Sequence, residues 1–316
     1  MWDSSRIVSI GKVEKFNDMD NVYDIKRKKN LNFILPIDSG SKSFRHLFVH
    51  CRAVVIIHLH YLDTLNRYIE YAKNIPDHID LIFSTAIDEI KERLDTDVVK
   101  GRKNCKVIRK KNRGRDISAF LVACRKDILE YDFVCFLHDK KEKAQVYEGD
   151  TEKWIRCLWE NMIGSKEFID NLLETFHENE NLGLLVSPAP ISEHFPATYI
   201  NMWGNNFEKT QLIAQRLRLK CDLDPAKPPI TLGTVFWARV EALKKLFETE
   251  WRYEDFDEEP LREEGTVSHA VERILAFVAQ DAGFETGWVM TDRYASERFE
   301  YEQEVLEKAF HRFNLS

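Results

Sequence analysis

Asn112-Arg113-Gly114-Arg115-Asp116-Ile117-Ser118-Ala119-Phe120, followed one helix length later by Phe133-Val134-Cys135-Phe136-Leu137-His138-Asp139-Lys140-Lys141, decides the fold. Together with the run Lys106 to Lys110 in front of it, the pair reads as strand, polar turn, helix, strand and polar strand end. Asp116 stands where an N-cap would precede the apolar positions Ile117, Phe120, Leu121 and Cys124. In an open α/β sheet, ligands bind where loops leave the carboxyl ends of the strands. Two consecutive loops at that edge are loaded with charge, so the chemistry is expected there.

Outward from this unit, short β-branched runs alternate with longer amphipathic ones, the pattern of βα units and a mainly parallel sheet. Strands are expected at Ala53 to His58, Asp80 to Thr85, Lys106 to Lys110 and Phe133 to His138, with helices at about 62–74, 87–95 and 116–129. Helices then follow at Trp154 to Ile163 and Lys166 to His177, and a strand at Leu182 to Val186. An irregular section rich in proline and aromatic residues leads to a strand at Ile230 to Trp237, a helix from Val240 to Phe247 and an acidic loop near 254–264. A helix from Ser268 to Gln280 and a strand at Phe284 to Met290 complete the unit. The expected fold class is α/β, a Rossmann-type sheet flanked by helices. Residues 1–50 read as an N-terminal extension, β-rich or partly ordered, 51–300 as the main domain and 301–316 as a helical tail.

The 316 residues, 44% hydrophobic and 12% aromatic, suffice for a sizeable core. A formal charge of -7 argues against nucleic acid as the main partner, because phosphate-backbone binding needs a broad basic surface. The six cysteines lack the paired spacing of a zinc site and several sit in apolar runs, consistent with reduced thiols in a cytoplasmic protein. No apolar run of about 18 residues and no basic start before an apolar stretch is present, so neither a spanning helix nor secretion is expected. There is also no Gly-x-Ser-x-Gly elbow and no Walker loop, which weakens hydrolase and kinase readings.

The Asn112 and His138 segments resemble the nucleotide-sugar half of GT-A glycosyltransferases. The chain more closely resembles the rhamnan synthesis protein F family. The matching segments are His58-Leu59-His60-Tyr61, Asn112 to Asp116, Leu137 to Lys141, Leu182-Gly183-Leu184-Leu185, Gly233 to Arg239 and His269-Ala270-Val271-Glu272-Arg273, in the family's order across about residues 50–295. The resemblance implies a GT-A-like fold and transfer of a sugar from a nucleotide donor, of the dTDP-rhamnose or UDP-sugar class, to a growing glycan. A lipid-linked acceptor at the inner membrane face would then require at most peripheral membrane contact.

Such a transfer must neutralise a departing diphosphate and deprotonate an acceptor hydroxyl. Arg113, Arg115, His138, Lys140 and Lys141 offer positive charge beside the backbone N–H groups at the Asp116 helix start, unless they form only a solvated turn and basic strand end. The usual GT-A strand end carries Asp-x-Asp for a divalent metal such as Mg or Mn; here it reads His138-Asp139-Lys140. One carboxylate remains, which weakens ligation by hard cations. Asp139 is therefore at most a lone metal ligand, or a contact to the donor, and Asp116 is either a donor contact or a cap.

For the base, the resemblance points to Glu272 at the start of a late helix, with His269 one turn earlier on the same face. The alternative is a structural ion pair of Glu272 with Arg273. His58 and His60 point to one face of a strand end, where stacking on or bonding to the donor competes with simple burial. Thr234, Trp237 and Trp203 are placed towards the acceptor, since aromatic faces suit sugar C–H surfaces. A non-catalytic nucleotide- or glycan-binding subunit assisting a partner transferase is the competing expectation.

Overall fold

The alternating pattern folds into one eight-stranded sheet. The computed structural model describes residues 31–39, 51–141, 150–189, 203–221, 223–226, 229–231, 233–262 and 264–312. The strands are β1 (Leu31–Leu35), β2 (Ala53–Leu59), β3 (Asp80–Thr85), β4 (Cys105–Arg109), β5 (Phe133–His138), β6 (Leu182–Val186), β7 (Phe236–Arg239) and β8 (Glu285–Thr291). Their order is β1-β8-β6-β7-β5-β2-β3-β4, and β7 alone runs antiparallel to its neighbours. This is a mixed, mainly parallel α/β sheet.

Strands covered on both faces read as continuous apolar runs, and β2 is buried along its whole length. Val54 and Ile56 pack into one core with Val134 and Phe136, whereas Val55, Ile57 and Leu59 pack into the opposite one with Phe133, Cys135 and Leu137. The period of two thus feeds two helical layers. Helices α1 (Leu65–Ala72), α2 (Asp88–Asp97), α5 (Asp150–Ile163) and α6 (Lys166–Glu178) cover the second core. The first is covered by α3 (Arg115–Ser118), α4 (Arg125–Ile128), α7 (Phe207–Arg216), α8 (Lys244–Glu248) and α9 (Val267–Asp281). A last helix, α10 (Asp292–Arg312), follows β8.

Several elements differ from their sequence expectations for identifiable reasons. The single helix expected over 116–129 is split into α3, a π-turn at Ala119–Ala123 and α4, with Cys124 N donating to Ala119 O at 2.9 Å. The strand expected at 230–237 is extended only from Phe236, because Gly233 (φ 89°) and Thr234 (φ 46°) turn the chain first. Helix α7 lies inside the section expected to be irregular. Within the region expected as an extension, Leu31–Leu35 forms the edge strand beside β8, while residues 1–30 and 40–50 lie outside the described residues. Residues 301–312 belong to α10, which begins earlier, at Asp292.

Strand β2 stands between β3 and β5, with His58 opposite His138. The chain leaves β2 towards β3 on one side, whereas β5 is reached only after β3 and β4 have been laid down. Order therefore reverses between β2 and β5, and a crevice opens at their carboxyl ends.

Candidate functional site

A cleft of about 440 Å³ occupies that crevice. The end of β2 supplies His58, His60 and Tyr61, and the end of β5 supplies His138, Asp139, Lys140 and Lys141. The turn before α3 supplies Asn112, the first residues of α3 supply Arg115 and Asp116, and α5 contributes Thr151 and Trp154. The far wall is Thr234, the loop Glu259-Pro260-Leu261, and Ser268, His269 and Glu272 from α9.

The two strand ends are locked together by Asp139. Its Oδ2 accepts the backbone N–H groups of His60 and Tyr61, each at 2.7 Å. Burial raises its pKa to about 7, against the pull of those two N–H groups and with help from nearby Asp116. His58 Nδ1 lies 3.1 Å from Ser84 Oγ on β3. Burial, reinforced by Lys110, drives its pKa down to about 3, so the ring is neutral at physiological pH. His138 Nε2 is 2.7 Å from Gly233 O and its Nδ1 2.9 Å from Asp139 O, so the ring bridges β5 to the turn that carries Thr234.

Asp116 is not an N-cap. Gly114 occupies that position with φ 72°, and the Asp116 carboxylate is buried in the cleft floor, 3.9 Å from His138 Nε2. Burial alone would raise its pKa, but the fields of His138, His58 and Lys140 hold it below the ordinary carboxylate value. Burial lowers the pKa of both histidines, and Lys140 adds its own field on Asp116. Lys140 is positioned by Tyr68, whose hydroxyl donates to Lys140 O and accepts from Lys140 N, both at 2.9 Å. Its ammonium lies 4.3 Å from the Trp154 ring centroid. Burial lowers its pKa, while Glu272 and Asp116 oppose the shift.

Across the cleft, Thr266 caps α9 and its Oγ1 lies 2.7 Å from His269 Nδ1. Burial lowers the His269 pKa against the field of Glu272. The Glu272 carboxylate accepts from Thr234 Oγ1 at 3.0 Å and from Arg273 Nη1 at 2.9 Å. The ion pair weighed for Glu272 is therefore present, and the same carboxylate also lines the cleft. Each carboxylate oxygen has a second lone pair, so these bonds fix its direction without exhausting it.

Three expected contacts lie elsewhere. Arg113, expected at the diphosphate, points to the acidic loop: its Nε donates to Phe256 O at 2.9 Å and its Nη1 faces Glu258 at 3.4 Å. Trp237, expected at the acceptor, is fully buried in the core, where its Nε1 donates to Met162 O. Trp203 is buried against Phe207 and Phe277. Gly114 also lines no part of the cleft, but it sets the turn that aims Arg115 inward. Lys141 reaches the rim, where it is paired with Asp63.

Trp154 and Thr151 escaped sequence reasoning, although their spacing puts them on one helix face. Lys110 also escaped it; this residue is buried beneath the site, and burial lowers its pKa to about 8. Two of the three non-glycine residues with positive φ among the described residues, Arg115 and Thr234, line the cleft, and strain of this kind gathers at functional sites.

The GT-A resemblance implies a divalent metal at the end of β5, and the side chains there do not fit one. Asp139 gives Oδ2 to two backbone donors, burial raises its pKa to about 7, and a lysine follows it in place of a second carboxylate. Among the described residues no cluster of three or more His, Cys, Asp or Glu side chains has the geometry to hold a metal ion.

Fold and site together define an α/β protein with a charged cleft at the switch point of its sheet. The model of the family described as rhamnan synthesis protein F matches residues 15–284, and the chain belongs to that family. This associates it with polysaccharide synthesis. It is also 25% identical over 232 residues to the uncharacterized protein WxcX of Xanthomonas campestris pv. campestris, in strains B100 and ATCC 33913. That match covers 73% of this chain and 32% of WxcX, so the chain spans about a third of the length of those relatives. No helix among the described residues is long and apolar enough to cross a membrane.

Proposed function

We propose that this chain is a glycosyltransferase that moves a sugar, rhamnose in the family's name, from a dTDP- or UDP-linked donor to a growing cell-surface polysaccharide. The observation that carries the proposal is the opposition of charges across one cleft: Arg115 and Lys140 on one wall, Glu272 and His269 on the other. A donor diphosphate seated on the basic wall places its anomeric carbon towards the acidic one. Glu272, or His269 through its free ring nitrogen, removes the proton of an acceptor hydroxyl. The hydroxyl oxygen then bonds to the anomeric carbon from the face opposite the diphosphate. The carbon–oxygen bond to the diphosphate breaks with its electron pair on the departing oxygen, and configuration inverts. The acceptor is a lipid-linked glycan, met at the cytoplasmic face of the inner membrane by peripheral contact.

Release of nucleoside diphosphate from a panel of nucleotide sugars, with glycan acceptors supplied, tests this. Glu272→Gln is expected to slow turnover by roughly 10²- to 10⁴-fold while leaving donor affinity nearly unchanged. Intact turnover would remove Glu272 from the role of base. The ion pair of Glu272 with Arg273 favours one second reading, a non-catalytic nucleotide- or glycan-binding subunit of a partner transferase. Donor binding without turnover, across acceptors and partners, would select that reading.

A further inference from the structure

The basic wall of the cleft holds two cations that have no ion-pair partner among the described residues. Arg115 is half-buried in a left-handed backbone conformation (φ 44°), yet among the described residues its guanidinium has no ion-pair partner. The Lys140 ammonium likewise has no carboxylate within ion-pairing distance among the described residues, although Asp116 and Glu272 act on it from further away. Arg115 also adds to the burial that lowers the Lys140 pKa, so two like charges stand near each other on one wall. Holding unpaired like charges out of water is costly unless an anion completes the set. Lys141 differs, since Asp63 already neutralises it.

We propose that Arg115 and Lys140 bind the diphosphate of a nucleotide directly, as the fixed cations of this site, with no divalent metal between phosphates and protein. A metal-bridged diphosphate needs free anionic oxygen on the protein side. The single carboxylate of the β5 end instead serves as the clamp between β2 and β5. Guanidinium and ammonium groups suit the task by different means. The Arg115 fork can take two phosphate oxygens at once, while Lys140 acts as a point charge steadied by Trp154 and Tyr68. Glu272 and Asp116 oppose the burial that lowers the Lys140 pKa.

The inference rests on the transferase reading, and one experiment separates the two. Calorimetric titration of the full chain with dTDP and UDP is run in EDTA and then in excess Mg²⁺ or Mn²⁺. The expected result is binding in EDTA within about 3-fold of that with metal, weakened about 10-fold or more by Arg115→Gln and by Lys140→Met, each removing a charge-assisted contact. Arg115→Lys should restore part of the loss, and unchanged melting temperatures would show that the variants are folded. Binding that needs metal, or that ignores both substitutions, overturns the inference and leaves the transferase reading standing. No binding of either nucleotide under any condition overturns both.

Discussion

At the scale of single residues, Asp139 shows how a motif position can keep its residue type and change its work. Its carboxylate joins the ends of β2 and β5 through two short N–H bonds, and burial lifts its pKa to about 7. A carboxyl whose folded pKa exceeds its unfolded value favours folding at low pH. That contribution is complete below the ordinary aspartate value of 3.8 and is lost as pH rises through about 7. Asp139→Asn keeps an oxygen that accepts both N–H groups and cannot ionise. The variant should therefore melt progressively higher relative to the natural protein as pH is raised from about 5 to about 8. Asp139→Ala leaves two buried donors unmet and should cost about 1–3 kcal/mol near pH 5, a cost that shrinks as pH rises and the natural protein loses the contribution of its own carboxyl. Melting curves of the three proteins across the pH series decide it; a metal-ligand role for Asp139 would instead make D139N lose metal-dependent stabilisation. The sequence showed the carboxylate but not its commitment, because both partners are backbone groups of residues about 80 positions away.

At the scale of elements, the turn before α3 controls the site through its backbone. Gly114 sits at φ 72°, and a Cβ there would lie 2.6 Å from Phe256 Cγ. Gly114→Ala is therefore expected to destabilise by about 1–3 kcal/mol from backbone strain alone, with the clash adding to it. It should also weaken nucleotide binding, because Arg115 follows directly. Urea denaturation alongside nucleotide titration checks both, and an unchanged midpoint would show that the turn bears neither the strain nor the clash. The charged turn, the β5 end and the start of α9 were readable because each lies at a strand-to-helix or loop-to-helix junction marked by composition. What was hidden depends on tertiary register: the π-turn that splits the expected helix, the kink at Gly233 and Thr234, and the burial of Trp203 and Trp237. Aromatic residues near a site and aromatic residues in a core look alike in one dimension, and only packing against Phe277 or Met162 tells them apart.

At the scale of the whole molecule, the cleft stands at the ends of two well-buried inner strands of the sheet. Strands β2 and β5 are covered on both faces, whereas the edge strands β1 and β4 keep exposed positions. Alternating βα units made this layout legible, since a switch point arises once three units run one way and the next strand is laid on the other side of the first. The groups on the two walls come from elements tied to those central strands, so ligand binding should need little rearrangement of the sheet. Native-state amide exchange is expected to be slowest in β2 and β5 and faster in β1 and β4, because local opening follows burial. Adding dTDP or UDP should raise protection around residues 58–61, 112–116, 138–141 and 266–272 and leave the edge strands unchanged. Protection that appears instead along α10, whose Phe299, Leu306 and Phe310 are exposed, would place the ligand or a partner far from the switch point and break the link between this cleft and the nucleotide.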